Sequence, residues 1–123
     1  MSYDIRFGVK VEGAKNAFAI IGRPEYDDPT YNIRDIFVKS MDWDYKQGEW
    51  YPMTEVMPKI ERGIHELTFN EKEYKKYNPS NGWGSTKSAL ECLQSIYEWF
   101  HPENMWDVEY DKDIPIECIY MKF

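Results

Sequence analysis

The sequence predicts an α+β domain: a small antiparallel sheet, built from an N-terminal hairpin plus a C-terminal strand, with three to four helices packed on one face. Three observations lead there. Tyr3, Ile5, Phe7, Val9 and Val11 alternate with Asp4, Arg6, Gly8 and Lys10, the period of a strand with one wet face. Near the other end, Ile114, Ile116, Cys118 and Tyr120 alternate with Pro115, Glu117, Ile119 and Met121. Between them Ala89, Leu90, Leu93, Ile96, Tyr97 and Phe100 recur at helical spacing, with Cys92 and Trp99 at one edge of the apolar arc. Strand, strand, helices, strand is the order of a sheet covered by helices on one side, with the last strand joining the hairpin.

Each element has a local reason. Turn residues from Glu12 to Asn16 separate the first strand, Tyr3–Val11, from the short apolar run Ala17–Ile21. Two prolines and two aspartates make Arg23–Pro29 a loop. Asn32 is placed to cap a short helix whose inner face is Ile33, Ile36, Phe37 and Met41. Asp42–Tyr51 reads as a connection holding a tight hairpin at Lys46-Gln47-Gly48-Glu49. A second helix is expected from about Glu55 to Thr68, capped by Thr54, with Pro58 in its first turn and Val56, Met57, Ile60, Gly63, Ile64 and Leu67 inward. Asn70-Glu71-Lys72-Glu73 has the form of a capping box for a third helix ending near Tyr77. Ser85 caps the fourth, which His101-Pro102 ends. Pro115 marks the last strand as an edge or its start as a strand entrance. No linker separates two cores, so residues 1–123 read as a single domain.

Composition excludes some partners. With 22 acidic and 15 basic residues the net charge is -7, which opposes direct binding to nucleic acid or an anionic membrane. Mean hydropathy is -0.72, and no apolar run approaches the ~20 residues of a membrane span. Met1–Val11 lacks the apolar core of an export signal, and Cys92 and Cys118 lack metal or redox spacing. Both are expected to be core thiols in a cytoplasmic protein. No cofactor is implied.

Candidate sites are few. Asn81-Gly82-Trp83-Gly84-Ser85 can form a nest of backbone N–H groups at a helix start and bind an anion, although it lacks a P-loop ending and a dinucleotide fingerprint. The same loop can simply fold Trp83 over the core, its N–H bonded within the protein. His65 falls on a polar helix face with no supporting ligand spacing, and Asp107, Glu109, Asp111 and Asp113 lack the pattern of a calcium loop, so no metal site is expected. The aromatic content of 17% lies largely in connections. Trp43, Trp50, Tyr51 and Trp106 are the candidates for a protein interface, because such side chains bury large areas and keep a polar handle.

From Tyr74-Lys-Lys-Tyr-Asn-Pro-Ser-Asn-Gly-Trp-Gly through Ser88-Ala89-Leu90 and Leu93, with Thr30-Tyr31-Asn32 earlier, the chain resembles uncharacterised small proteins of bacterial phages and mobile elements. The resemblance covers roughly Thr30 to Phe100 and implies no catalytic residue. It directs attention to Tyr31, Asn32 and Trp83 as a shared site. The expected function is therefore a non-enzymatic accessory protein acting through contacts with a host or phage protein. The alternatives are a small-molecule or anion-binding protein, including an enzyme, using the loop around Trp83, and an acidic decoy that occupies a nucleic-acid-binding protein.

Overall fold

The inner faces of three helices and one face of a sheet meet in a single apolar layer. The structure is a computed structural model that describes residues 5–11, 13, 18–21, 33–79, 84–100 and 116–123. Within them lie β1 (Arg6–Lys10), β2 (Phe18–Ile20), α1 (Arg34–Met41), β3 (Trp50–Pro52), α2 (Met53–Phe69), α3 (Glu71–Tyr74), α4 (Thr86–Phe100) and β4 (Ile119–Lys122). The four strands form one antiparallel sheet in the order β2-β1-β4-β3. The α+β architecture expected from the sequence is present, with the hairpin and the C-terminal strand paired as β1 and β4.

Register fixes what each side of the sheet carries. Phe7 faces Met121, which faces Tyr51, and Val9 faces Ile119. Ile5, Phe7, Ile119, Met121 and Phe123 are buried beneath the helices. Phe7 meets Phe100 of α4 with ring centroids 4.9 Å apart, and Phe37 of α1 meets Phe123 at 6.1 Å. The expected inner face of α1 is buried, as are Val56, Ile60, Gly63 and Leu67 of α2. On α4 the buried stripe is rotated towards Cys92, which is buried, while Leu90 and Tyr97 stay half-exposed.

Several expectations need correction. Trp50–Pro52 is not part of a connection but the fourth strand, pairing with β4, an inner strand rather than an edge. The turn expected at Lys46–Glu49 exists, with Glu49 N–H donating to Lys46 O and Gly48 at φ 86. It closes no hairpin, since Gly48 N–H donates instead to the Phe123 carbonyl. Among the described residues of the last segment only Ile119–Lys122 is a strand; Ile116–Cys118 is a 3-10 turn, the alternation does not apply there, and Ile114 and Pro115 lie outside the described residues. Cys118 is accordingly exposed rather than a core thiol. Helix α2 starts at Met53, straight from β3, so Thr54 caps nothing and Pro58 lies in the second turn. Pro58 removes a donor from the Thr54 carbonyl, and Thr54 is exposed to water.

Helix ends explain how α1 and α3 are anchored. Helix α1 ends in a Schellman arrangement: Asp42 adopts φ 50, its N–H donates to Lys39 O, and Trp43 N–H donates to Val38 O. Arg62 of α2 donates to the Lys39 and Ser40 carbonyls, a cation placed at the negative end of α1. The capping box at Asn70 does not form. Its amide donates to Glu66 Oε2 at 2.7 Å, which turns the side chain back towards α2, and Glu73 N–H donates to the Asn70 backbone carbonyl instead.

That choice has a titration consequence. The Asn70 amide holds the Glu66 carboxyl below the usual carboxylate range, helped by Tyr74, Arg62 and His65 against the opposing effect of desolvation. Burial, followed by the Glu66 charge, pushes the Tyr74 hydroxyl up. A depressed folded value means that Glu66 contributes stability above its unfolded pKa, lost as pH falls through the folded one. Melting temperature measured against pH should therefore fall less steeply on the acid side in Glu66→Gln than in wild type. Parallel acid limbs would remove Glu66 from the explanation.

Candidate functional site

The alternation that buries Phe7 and Met121 sends the intervening residues outwards. On the side away from the described helices, Arg6, Lys122 and Trp50 form one cross-strand row, and Ile20, Gly8, Tyr120 and Pro52 form the next. Lys10 and Phe18 pair beyond them. The rows hold a cluster that the loops alone do not suggest.

Phe18 and Trp50 stand on the two edge strands, yet their rings stack at 4.4 Å and 19°. Both reach across the middle of the sheet to do so. Gly8 makes the crossing possible: a Cβ there would lie 3.1 Å from Trp50 Cη2 and 3.2 Å from Phe18 Cβ. Tyr120 adds an edge contact to Phe18 at 5.1 Å, and the Lys122 ammonium lies 5.1 Å from the Trp50 ring centre. Beside them Ile20 is 58% exposed. Among the described residues of these rows the charged side chains are Arg6, Lys10 and Lys122, with no carboxylate.

The residues singled out from sequence divide between this face and the rest of the fold. Trp50 belongs to the outer cluster. Trp43 and Tyr51 are half-buried at the other end of the core, ring edge to ring face at 4.8 Å, with Trp43 also against Tyr45 and Phe123. The Tyr51 hydroxyl accepts from Lys46 N–H and donates to Glu49. Tyr31, Asn32, Asn81, Gly82, Trp83 and Trp106 lie outside the described residues, as do the carboxylates from Asp107 to Asp113.

Gly84 and Ser85 are described, and Ser85 caps α4 as expected. Its Oγ accepts Ser88 N–H at 3.3 Å while Ser88 Oγ accepts Ser85 N–H at 2.8 Å, a reciprocal pair. Asn78 Oδ1 takes Thr86 N–H at 3.0 Å, and the Thr86 hydroxyl donates to Glu71. Side chains thus hold the first donors of this helix, tying α3 to α4.

Between α2 and α4 lies a shallow groove of about 270 Å³ lined by Glu61, Ile64, Gln94, Tyr97 and Glu98. It gathers none of the residues singled out from sequence. His65 is exposed beside Phe69, as a solvated helix face requires. Among the described residues no group of three or more His, Cys, Asp or Glu is placed to hold a metal ion, and no helix is long and apolar enough to cross a membrane.

Phe18, Tyr120, Lys122 and Gly8 were not singled out by sequence reasoning. One signal for them existed: a glycine in the outward row of an alternating strand marks a close approach by something else. Comparison with protein-family models, curated proteins and solved structures finds no match to this chain.

Proposed function

We propose that this chain is a non-enzymatic accessory protein, of the phage or mobile-element kind that it resembles, and that it binds a partner protein through the outer face of its sheet. One observation carries the reading: the Phe18–Trp50 stack spans the sheet face away from the described helices, next to exposed Ile20 and with the Lys122 ammonium against the Trp50 ring. An aromatic and aliphatic centre with a polar rim is the composition of a protein interface. Trp50 and Phe18 brace one another, so little side-chain freedom remains to be lost on binding.

The test compares two exposed apolar positions. Ile20 lies on the proposed face, whereas Phe69, 73% exposed, lies at the end of α2. Neither replacement removes a core contact, so Ile20→Asp and Phe69→Asp should both fold. Tagged wild type and Phe69→Asp are expected to retain the same partner from host lysate, with Ile20→Asp losing it. Equal retention by Ile20→Asp would sink the proposed surface.

A further inference from the structure

We infer that β2 is an open sheet edge that pairs with β2 of a second copy of this chain, antiparallel and two-fold about Ala19, so that two sheets join edge to edge. This self-association goes beyond the partner surface proposed above and does not rest on it. The argument begins with where the backbone groups of the edge strands point. Ile21 N–H donates to the Phe7 carbonyl, and the register runs on through Gly8–Ile20, Val9–Ala19 and Lys10–Phe18. Hydrogen-bonded pairs alternate along an antiparallel ladder, so Ala19 turns its N–H and C=O towards β1, while those of Phe18 and Ile20 point away from the sheet. Carried across β4, the same alternation turns Trp50 and Pro52 outwards on β3, and Pro52 has no N–H to donate. Proline blunts that edge. β2 has neither a proline nor a charged residue among Phe18, Ala19 and Ile20.

The edge is also open in space. Among the described residues β2 pairs with β1 and with no other strand. Ala19 is exposed on the side of the sheet that bears the helices, and Ile20 is 58% exposed on the other. A second copy fits because the edge is self-complementary. With a two-fold axis at Ala19, Phe18 of each copy faces Ile20 of the other, and each pair exchanges both hydrogen bonds. An aromatic opposite a β-branched side chain is a favourable cross-strand pair, and it covers Ile20. Ala19 meets its own copy at the closer, non-hydrogen-bonded position, where a small side chain lets the strands approach. Since β2 is uncharged, two chains of net charge -7 set no like charges opposite one another along these strands. Strands of three residues bury less than the ~1,200 Å² of a standard specific interface, so the dimer forms reversibly with concentration.

Sedimentation velocity over a concentration series tests the inference, with single charges placed at Ala19. That position is exposed and faces away from the side of Ile20, so Ala19→Glu and Ala19→Lys should both fold and keep the outer face. Wild type is expected to pass from monomer to dimer as concentration rises. Either variant alone should dimerise about tenfold more weakly or worse, because like charges meet at the axis, and mixing the two should restore the dimer. Amide hydrogen exchange gives a second readout. The Phe18 and Ile20 N–H groups should gain protection with concentration, whereas Ala19, already bonded to β1, should change least. The inference is overturned if wild type stays monomeric at the highest concentration reached, or if neither charge weakens association. It also falls if the mixed variants fail to pair, or if Phe18 and Ile20 gain no protection. Because the Ala19 variants leave Ile20 in place, loss of the dimer and loss of partner capture are read on different proteins, and each proposal fails on its own variant.

Discussion

Replacing Tyr45 with alanine is expected to lower the unfolding free energy by about 3–5 kcal/mol, the loss typical of a large core truncation. Tyr45 lies in the connection between α1 and β3, where a loop tyrosine would ordinarily be solvent-facing. Instead it is 0% exposed. Its ring stacks on Phe123 at 3.9 Å and 14°, Trp43 meets it edge-on at 5.4 Å, and the Arg34 guanidinium lies 5.0 Å from the ring centre. The same arginine donates to the Tyr45 carbonyl at 2.8 Å. Phe123 is in turn held by Gly48 N–H on its carbonyl, so the ring joins the α1–β3 connection to the end of β4. Removing it opens a cavity between them and leaves Phe123 and Trp43 without their shared contact. Tyr45→Phe keeps the stack and should stay within about 1.5 kcal/mol of wild type. Urea unfolding of both variants checks the pair. A Tyr45→Ala loss no larger than that of Tyr45→Phe would show that the stack contributes little.

Tyr45 also shows where sequence stops being informative. The first strand and helices α1, α2 and α4 were legible because each repeats an apolar period over enough residues to reveal a face. Trp50–Pro52 was not, because three residues ending in proline carry no alternation. Cys118 was misplaced because the alternating pattern was extended back through a 3-10 turn. Asn70 matched a capping box in letters, but Glu66 one turn earlier took its amide. Trp43, Tyr45 and Tyr51 share one cluster with Phe123, which is far from them in sequence. The outer face was hidden for the same reason. Phe18, Trp50 and Tyr120 come from three different strands, and only the register over Gly8 brings their rings together. Individual residues there were visible; their convergence was not.

Gly63→Val should cost about 3 kcal/mol, at the upper end for an overpacked core position. Gly63 lies in the middle of α2, where glycine is a poor helix former and alanine would add about 1 kcal/mol of propensity. Its retention is explained by its neighbours. A Cβ built there would lie 2.8 Å from Leu93 Cδ1 on α4 and 2.9 Å from Met41 Cγ on α1, with Ser40 Oγ at 3.5 Å. The three helices close on this residue. Alanine meets the end of Leu93 but the middle of the buried Met41 side chain, a clash that the propensity gain offsets only in part, so Gly63→Ala should lose about 1–2 kcal/mol and less than Gly63→Val. Valine adds two further methyl groups that no rotamer can point away from both neighbours. Helix α1 must then move outwards, straining the bonds from Arg62 to the Lys39 and Ser40 carbonyls. Denaturant unfolding of the series, with Leu93→Ala alone and combined with Gly63→Val, measures the coupling. The double variant should be more stable than the sum of the single losses predicts, because the space vacated by Leu93 receives the new methyl groups. Strict additivity, or a Gly63→Val protein as stable as wild type, would mean that α1 and α4 are not packed against α2 at this residue.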